Sequence, residues 1–384
     1  MRVVVIGTGL IGTSIALALR EQGSSVWLTD RDPAAARLAA DLGAGELLPA
    51  GGRPVTADIA VIAVPPAAVA ATLAAAQAWG QGGSSDSVGS TGSAGSTGSA
   101  GSAGSAGLAR CYTDVASVKQ LPLAQARDRG CDLTCYVPGH PLAGREKHGA
   151  AAARADLFLG RRWALCPGPE TSGEAIETVT SLVRACGAVP VRTDAAAHDR
   201  WVALISHAPH LVAAAMAARL ESAPAEALDL AGQGLRDVTR VAAGDVGLWT
   251  QILSANAAPV AEVLGGVAAD LAEAARMLAE GEGPERSKSV AALLDRGQAG
   301  VAKIPGKHGG AAREFAVVQV VIPDQPGELA RLFRATGAAG VNIEDVRIEH
   351  SPGLPVGVAE LSVRPTEAGT LLDALEAGGW PVRR

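Results

Sequence analysis

The chain has 384 residues, 48% of them hydrophobic, and a formal net charge of −6. That length leaves room for two or three domains with cores of their own, and the acidic balance excludes a general attraction to nucleic acid. Five scattered cysteines (Cys111, Cys131, Cys135, Cys166 and Cys186) include no C-x-x-C pair, a pattern that fits a reduced, cytoplasmic protein.

The first predicted strand starts within two residues of Met1, leaving no room for a leader peptide. No run of about twenty uncharged apolar residues suggests a membrane span. The apolar run Val3 to Ile6 enters glycines at Gly7, Gly9 and Gly12. An Ala/Leu-rich helical pattern then runs to Arg20, and after Gly23 a second apolar run ends at Asp30. Strand, tight turn, helix, strand and acidic tip at this spacing form the first βαβ unit of a dinucleotide-binding fold. Gly7 permits the turn, Gly9 lets backbone approach a pyrophosphate, and Gly12 lets the helix pack on the sheet. With Leu10 and Ile11 they open a helix whose free N–H groups suit phosphates. Asp30 would accept hydrogen bonds from ribose hydroxyls and repel a 2′-phosphate, favouring NAD over NADP; Arg31 beside it blunts the repulsion.

Residues 32–44 read as a helix with Pro33 in its first turn. Ile59 to Val64 read as a buried parallel strand stopped by Pro65 and Pro66, so that Val64 and Pro65 face the cofactor crevice. Residues 82–107 are almost pure Gly, Ser, Ala and Thr, a composition that buries no core and predicts a flexible insertion inside the nucleotide domain. Cys111 to Gln120 read as a strand, an exposed turn and a helix start. Cys131 to Glu146 read as a strand running into a loop broken by Pro138, Gly139 and Pro141. A further strand, helix and strand close the domain near Thr193.

From Asp194 the pattern is helical only. Trp201, Leu204, Ile205, Ala208, Leu211 and Val212 recur at helical spacing, and further helices are predicted over 225–243 and 248–280, with Gly244 as a stop. Helices apolar around so much of their circumference bury more than one face, which suggests an intertwined homodimer. Residues 301–312 read as a Gly-rich basic linker. The tail reads β-α-β, β-α and a partial last strand, a ferredoxin-like module. The expected class is therefore α/β: a Rossmann-type sheet (1–193), an all-α domain (194–300) and an α+β module (313–384).

Five motifs occur in order along this frame: GTGLIG (from Gly7), TDVASVK (Thr113 to Lys119), GHPLAGRE (Gly139 to Glu146), SHAPH (Ser206 to His210) and RDVTRVAAGDVGLW (Arg236 to Trp249). In these the chain resembles the prephenate dehydrogenase family, with its arogenate-using members. The tail, through PDQPGELARLF and GVNIEDVRI, resembles an ACT regulatory domain. The resemblance implies oxidative decarboxylation of prephenate to 4-hydroxyphenylpyruvate with hydride transfer to NAD, in tyrosine biosynthesis.

It also implies roles. His140 would take the proton of the ring hydroxyl, and Ser117 would bond the same hydroxyl and keep His140 oriented, where the residue alone reads as a helix N-cap. Arg240 would fork a substrate carboxylate, with Asp237 holding the fork and Trp249 nearby; alone, the pair reads as a surface ion pair. His207 would reach the substrate's polar side chain, and Glu146 would gate or orient. Lys119 stays open between a surface charge and a cofactor contact. His207 and His210 share a helix face, but no third ligand accompanies them and no metal is expected. In the tail, Asp324 to Gly327 and Asn342 would build an amino-acid site, with L-tyrosine as effector; the alternative is a module that only joins subunits. Thr250 and Gln251 follow Trp249 where many relatives carry Arg-Asp, so pocket polarity stays open. Arogenate as substrate, another dehydrogenase of this architecture, and a non-catalytic NAD-binding amino-acid sensor are the competing readings.

Overall fold

The computed structural model describes residues 1–49, 57–79, 107–144, 149–280, 284–305, 315–350 and 355–383. Glu146, the 82–107 insertion apart from Gly107, and the linker beyond 305 lie outside them. The chain divides into two compact units, Met1–Ala268 and Ala269–Arg384.

The first unit opens with β1 (Arg2–Ile6), α1 (Leu10–Glu21), β2 (Ser25–Thr29), α2 (Pro33–Asp41), β3 (Glu46–Leu47), β4 (Ala57–Ile62), α3 (Val69–Gln77), β5 (Ala109–Asp114), α4 (Gln120–Asp128) and β6 (Tyr136–Val137). These strands form one sheet in the order β3-β2-β1-β4-β5-β6, every pair parallel. Both faces are covered, which is why β1 and β4 read as unbroken apolar runs. Alternate residues go to opposite cores. Val3, Val5, Ile59 and Val61 pack with Ile15 and Leu19 of α1, whereas Val4, Ala60 and Ile62 pack with Leu73 of α3, Tyr112 and Tyr136.

The segment expected as one strand entering a loop is split at Pro138. β6 ends the parallel sheet, and β7 (Gly139–Pro141) starts a second sheet with β8 (Arg162–Leu165) and β9 (Val189–Arg192), the latter two joined by α5 (Gly173–Ala185). β7 runs antiparallel to β8, with His140 opposite Ala164. Proline has no N–H for a ladder, so the chain changes sheets there. The turn expected to be exposed between β5 and α4 is also mostly inside, with Ala116, Val118 and Lys119 buried.

The helical part holds α6 (Ala195–Val202), a π turn (Ala203–His207), α7 (Ala208–Ala218), α8 (Ala225–Asp229), α9 (Gln233–Thr239), a 3-10 turn (Arg240–Ala243), α10 (Val246–Ala255) and α11 (Ala257–Glu280). The two long helices expected here are broken. The first is interrupted before Gly232, which caps α9, and the second bends by 96° at Asn256. Pro209 lacks the N–H that Ile205 would accept, and the turn before it widens until Ala208 N–H reaches Ala203 O. Asp32, Ser172, Asp194 and Asp245 each cap a helix through a side-chain oxygen, contributing about 1 kcal/mol apiece. Trp201, Leu204 and Ile205 stay 53–63% exposed as one apolar stripe. Ala195–Ala218 is long and apolar enough to cross a membrane by composition. Its Asp199 is nevertheless buried and bonded to α4, as in a helix of a folded interior.

The second unit carries α12 (Pro284–Val301), which the sequence pattern does not separate, and then β10 (Ala316–Pro323), α13 (Glu328–Ala338), β11 (Asp345–His350), β12 (Val356–Val363), α14 (Pro365–Ala377) and β13 (Val382–Arg383). The sheet order is β11-β12-β10-β13, all antiparallel. This is the ferredoxin-like arrangement. Its core is Val318, Val320, Ile322, Leu332, Leu361, Leu371 and Leu375.

Candidate active site

The topological switch point lies beyond the carboxyl ends of the paired strands β1 and β4, from which the chain continues to opposite sides of the sheet, and a crevice is expected there. Gly7 has φ +100°, and a Cβ on it would sit 2.3 Å from Ala63 O. One on Gly12 would sit 1.9 Å from Gly7 O. Those two glycines are required by the fold. Gly9 differs: its φ is −72°, it caps α1 with no side-chain hydrogen bond, and a Cβ added there would meet nothing within 4 Å. Open space in front of uncapped N–H groups at Leu10 and Ile11 is what a pyrophosphate needs, so these residues fit a dinucleotide. Val64 and Pro65 follow β4, and Val64 Cγ1 borders the same turn. Asp30, half-buried, accepts from Thr8 N (2.6 Å) and Thr8 Oγ1 (3.0 Å) and from Asp32 N (2.9 Å). It braces the glycine turn, a duty that its spacing in the sequence does not reveal.

His140 sits mid-way along β7, 9% exposed. Its Nδ1 is 2.9 Å from His198 Nε2, and His198 Nδ1 is 2.8 Å from Asp199 Oδ1. Asp199 also accepts from Lys119 N (2.8 Å) and Gln120 N (2.9 Å), capping α4 from another element. Burial pushes the Asp199 carboxyl up, but His198 and the two amides outweigh it and hold it below the usual range. A carboxylate only accepts, so the proton between it and His198 is on Nδ1. His140, held neutral, carries a single proton, and with that proton on Nδ1 it donates to His198 Nε2. His140 is left with an unprotonated Nε2. Burial first, then His198, Lys119 and His207, hold its pKa well below the ordinary imidazole value. This is a neutral base with its orientation set from behind.

Lys119 is neither a surface charge nor a cofactor contact. It is fully buried, and its ammonium pairs with Asp114 Oδ1 and donates to Gly139 O, the carbonyl just before His140. Tyr136 OH donates to Asp114 Oδ2 at 2.6 Å. The reading of Ser117 as the cap of α4 also falls: that helix has no side-chain cap of its own at its N-terminal residue, and Asp199 serves it. Ser117 lies half-buried on the bend between β5 and α4.

On the helical side, His207 closes the π turn and is 1% exposed, with burial lowering its pKa to about 4. His210 stacks on Trp249 at 3.6 Å between ring centroids, and His207 meets the same indole edge-on at 6.1 Å. Gly244 is more than a helix stop. A Cβ there would lie 2.5 Å from Trp249 Nε1 and 2.9 Å from His210 Cε1, so the stack depends on glycine. Arg240 is exposed and opens the 3-10 turn, which packs on α7. Asp237 accepts from Gln233 Nε2 at 2.8 Å. Asn256 ties the two clusters together through Asp199 O (2.8 Å) and His207 Nδ1 (3.1 Å). In the second unit, Asp324 is exposed and Gly327 caps α13 at φ +94°, while Asn342 donates to Glu344 Oε1 at 2.9 Å.

Comparison with known proteins bears on this geometry. Residues 105–192 match the family described as prephenate dehydrogenase, nucleotide-binding domain, and 194–291 match prephenate dehydrogenase, dimerization domain. The chain is 40% identical to a probable prephenate dehydrogenase, NovF, of Streptomyces niveus over 98% of both chains. The chain belongs to the prephenate dehydrogenase family. It is an NAD-dependent dehydrogenase. A prephenate dehydrogenase of Bacillus subtilis is 29% identical over 62% of this chain and 63% of its own. The A. aeolicus prephenate dehydrogenase, solved with hydroxyphenyl propionate and NAD+, shares the fold at TM-score 0.61 and 22% identity, covering 78% of this chain and 98% of that one. Residues 2–82 also match NADP oxidoreductase, coenzyme F420-dependent.

His198, Asp199 and Asn256 were missed from the sequence. The signal for the first two was an adjacent His-Asp pair on an otherwise Ala-rich helix, where a buried polar pair has to be satisfied.

Proposed function

We propose that this member of the family oxidises prephenate, and that the buried chain Asp199–His198–His140 carries the proton chemistry. The ring hydroxyl must lose a proton as hydride leaves its carbon, after which loss of carbon dioxide makes the ring aromatic. NAD, when bound on the Gly7–Gly12 turn, supplies the hydride acceptor. His140 Nε2 takes the hydroxyl proton, Ser117 bonds the same oxygen, and the positive charge that develops on His140 is shared with His198 and stabilised by Asp199. Lys119 fixes the Gly139 carbonyl and with it the imidazole. Arg240 forks a substrate carboxylate, Asp237 and Trp249 shape that end, and His207 meets the side chain.

The exposed stripe of Trp201, Leu204 and Ile205 supports a homodimer, with residues 1–193 holding the nucleotide, 194–300 the substrate and the partner, and 313–384 a regulatory module. The ferredoxin-like topology of that module supports an ACT-type site at Asp324, Gly327 and Asn342, with L-tyrosine as effector, in a cytoplasmic enzyme. The observation that carries the catalytic reading is the 2.9 Å contact from His140 to His198, which a mere NAD-binding sensor does not need. The test is NADH absorbance with prephenate and then arogenate, each with and without tyrosine. Turnover of prephenate is expected. NAD binding with no turnover of either substrate overturns the enzyme reading, and tyrosine that alters neither rate nor melting temperature overturns the effector.

A further inference from the structure

Asn256 stands at the 96° break between α10 and α11, 2% exposed, with its side chain turned into the helical cluster. Its side-chain nitrogen is 2.8 Å from Asp199 O. A backbone carbonyl only accepts, so the group facing it is the NH2, which settles the orientation of the amide. The same nitrogen is 3.1 Å from His207 Nδ1. An amide NH2 has a second hydrogen to give and no lone pair to offer. Nδ1 therefore accepts, and the single proton of the neutral ring is on Nε2. The opposite tautomer would set a buried ring N–H against a buried NH2, a donor facing a donor, which disfavours it by about tenfold or more.

We propose that Asn256 is a positioning residue that locks His207 as an Nε2–H donor, so that the site offers the substrate side chain a hydrogen to accept and selects a keto group over a protonated amine. The selection half rests on the reading above that His207 meets the side chain; the lock does not. A keto or carboxylate oxygen accepts such a hydrogen, whereas an ammonium group presents another donor and leaves both unsatisfied. The break at Asn256 and the π turn at Ala203–His207 are the two irregularities that bring the groups together. Irregular turns of this kind recur at functional sites.

The test is 15N NMR of the full chain labelled in its histidines, at pH 7.5 without ligand, with His207 assigned by the signals lost in His207→Gln. The expected result is an unprotonated Nδ1 and a protonated Nε2. Asn256→Asp, which can only accept, should protonate Nδ1, and Asn256→Ala should give a mixture of tautomers. A protonated Nδ1 in the wild type overturns the lock, as does either folded variant that keeps the pure Nε2–H form. If neither variant folds, the wild-type spectrum still decides the tautomer. In Asn256→Ala the ratio of kcat/KM for prephenate over arogenate should fall about tenfold, the loss of one oriented hydrogen bond. A changed tautomer with an unchanged ratio upholds the lock and overturns the selection, which places the failure in the reading of His207 as a side-chain contact.

Discussion

Asp199→Asn isolates the chain behind His140, because it changes charge and donor pattern with almost no change in shape. The carboxylate accepts three hydrogen bonds: from His198 Nδ1 (2.8 Å), Lys119 N (2.8 Å) and Gln120 N (2.9 Å). An amide has one oxygen to replace two. With that oxygen toward His198 and Lys119, its NH2 meets Gln120 N–H head-on. With the oxygen toward Gln120, the NH2 faces His198, whose Nδ1 must then accept. The proton moves to His198 Nε2, His140 Nδ1 must accept it, and His140 Nε2 carries the proton it should be free to receive. The first arrangement loses a charge-assisted bond and strands a buried N–H, roughly 2–4 kcal/mol of stability. The second disables the base; the equivalent change in a serine-protease triad lowers kcat about 10⁴-fold. A mixture gives an expected loss of about 10²–10⁴ in kcat, with NAD affinity unchanged. Urea denaturation and NADH absorbance measure the two effects. A folded Asp199→Asn enzyme within about threefold of wild-type kcat refutes the relay.

The glycine turn yields a paired contrast. Gly12→Ala drives a Cβ to 1.9 Å from Gly7 O and should destabilise the nucleotide domain by several kcal/mol, whereas Gly9→Ala should leave melting within about 0.5 kcal/mol yet weaken NAD at least ~10-fold by calorimetry. Equal effects at both positions would contradict the cradle. Lys119→Met strands the Asp114 carboxylate with both groups fully buried and should lose about 3–5 kcal/mol of stability, read by urea midpoint; an unchanged midpoint would show that the pair is dispensable. His207 is held neutral down to about pH 4 in the folded chain, while an unfolded imidazole protonates near 6.5. Its folded pKa is depressed, so its contribution is intact above pH 6.5 and is lost as pH falls from there to about 4, by up to about 3 kcal/mol. His207→Gln should flatten the pH dependence of stability across that window, and an unchanged slope would contradict its burial as a neutral ring.

Local features were legible because they are local. Gly7, Gly9 and Gly12 with Asp30 announce a βαβ unit within thirty residues, and the backbone of that unit is as the spacing demands. His140 was reachable through its motif, and Pro138 beside it already carried the reason for the change of sheet. What stayed hidden depends on residues far apart in the chain. Asp199 caps a helix that begins 79 residues earlier, and His198 meets His140 across 58. No periodicity records such pairs. The helix breaks were invisible for the same reason: Asn256 ends α10 because its amide is engaged by Asp199 and His207, and propensity alone does not stop a helix there. Lys119 stayed open between a surface charge and a cofactor contact because lysine is almost never fully buried unless paired, and its partner Asp114 is five residues away on the far side of a turn.

The most direct measurement is prephenate-dependent NADH formation by His140→Asn beside the wild type, with NAD affinity determined on both by calorimetry. Asparagine keeps polarity at Nδ1 but has no basic nitrogen at the position of Nε2. The account predicts unchanged NAD affinity and turnover lowered by at least ~10², the share a positioned general base supplies. Turnover near the wild-type rate would contradict it, and would leave the buried line from Asp199 to His140 as scaffolding alone.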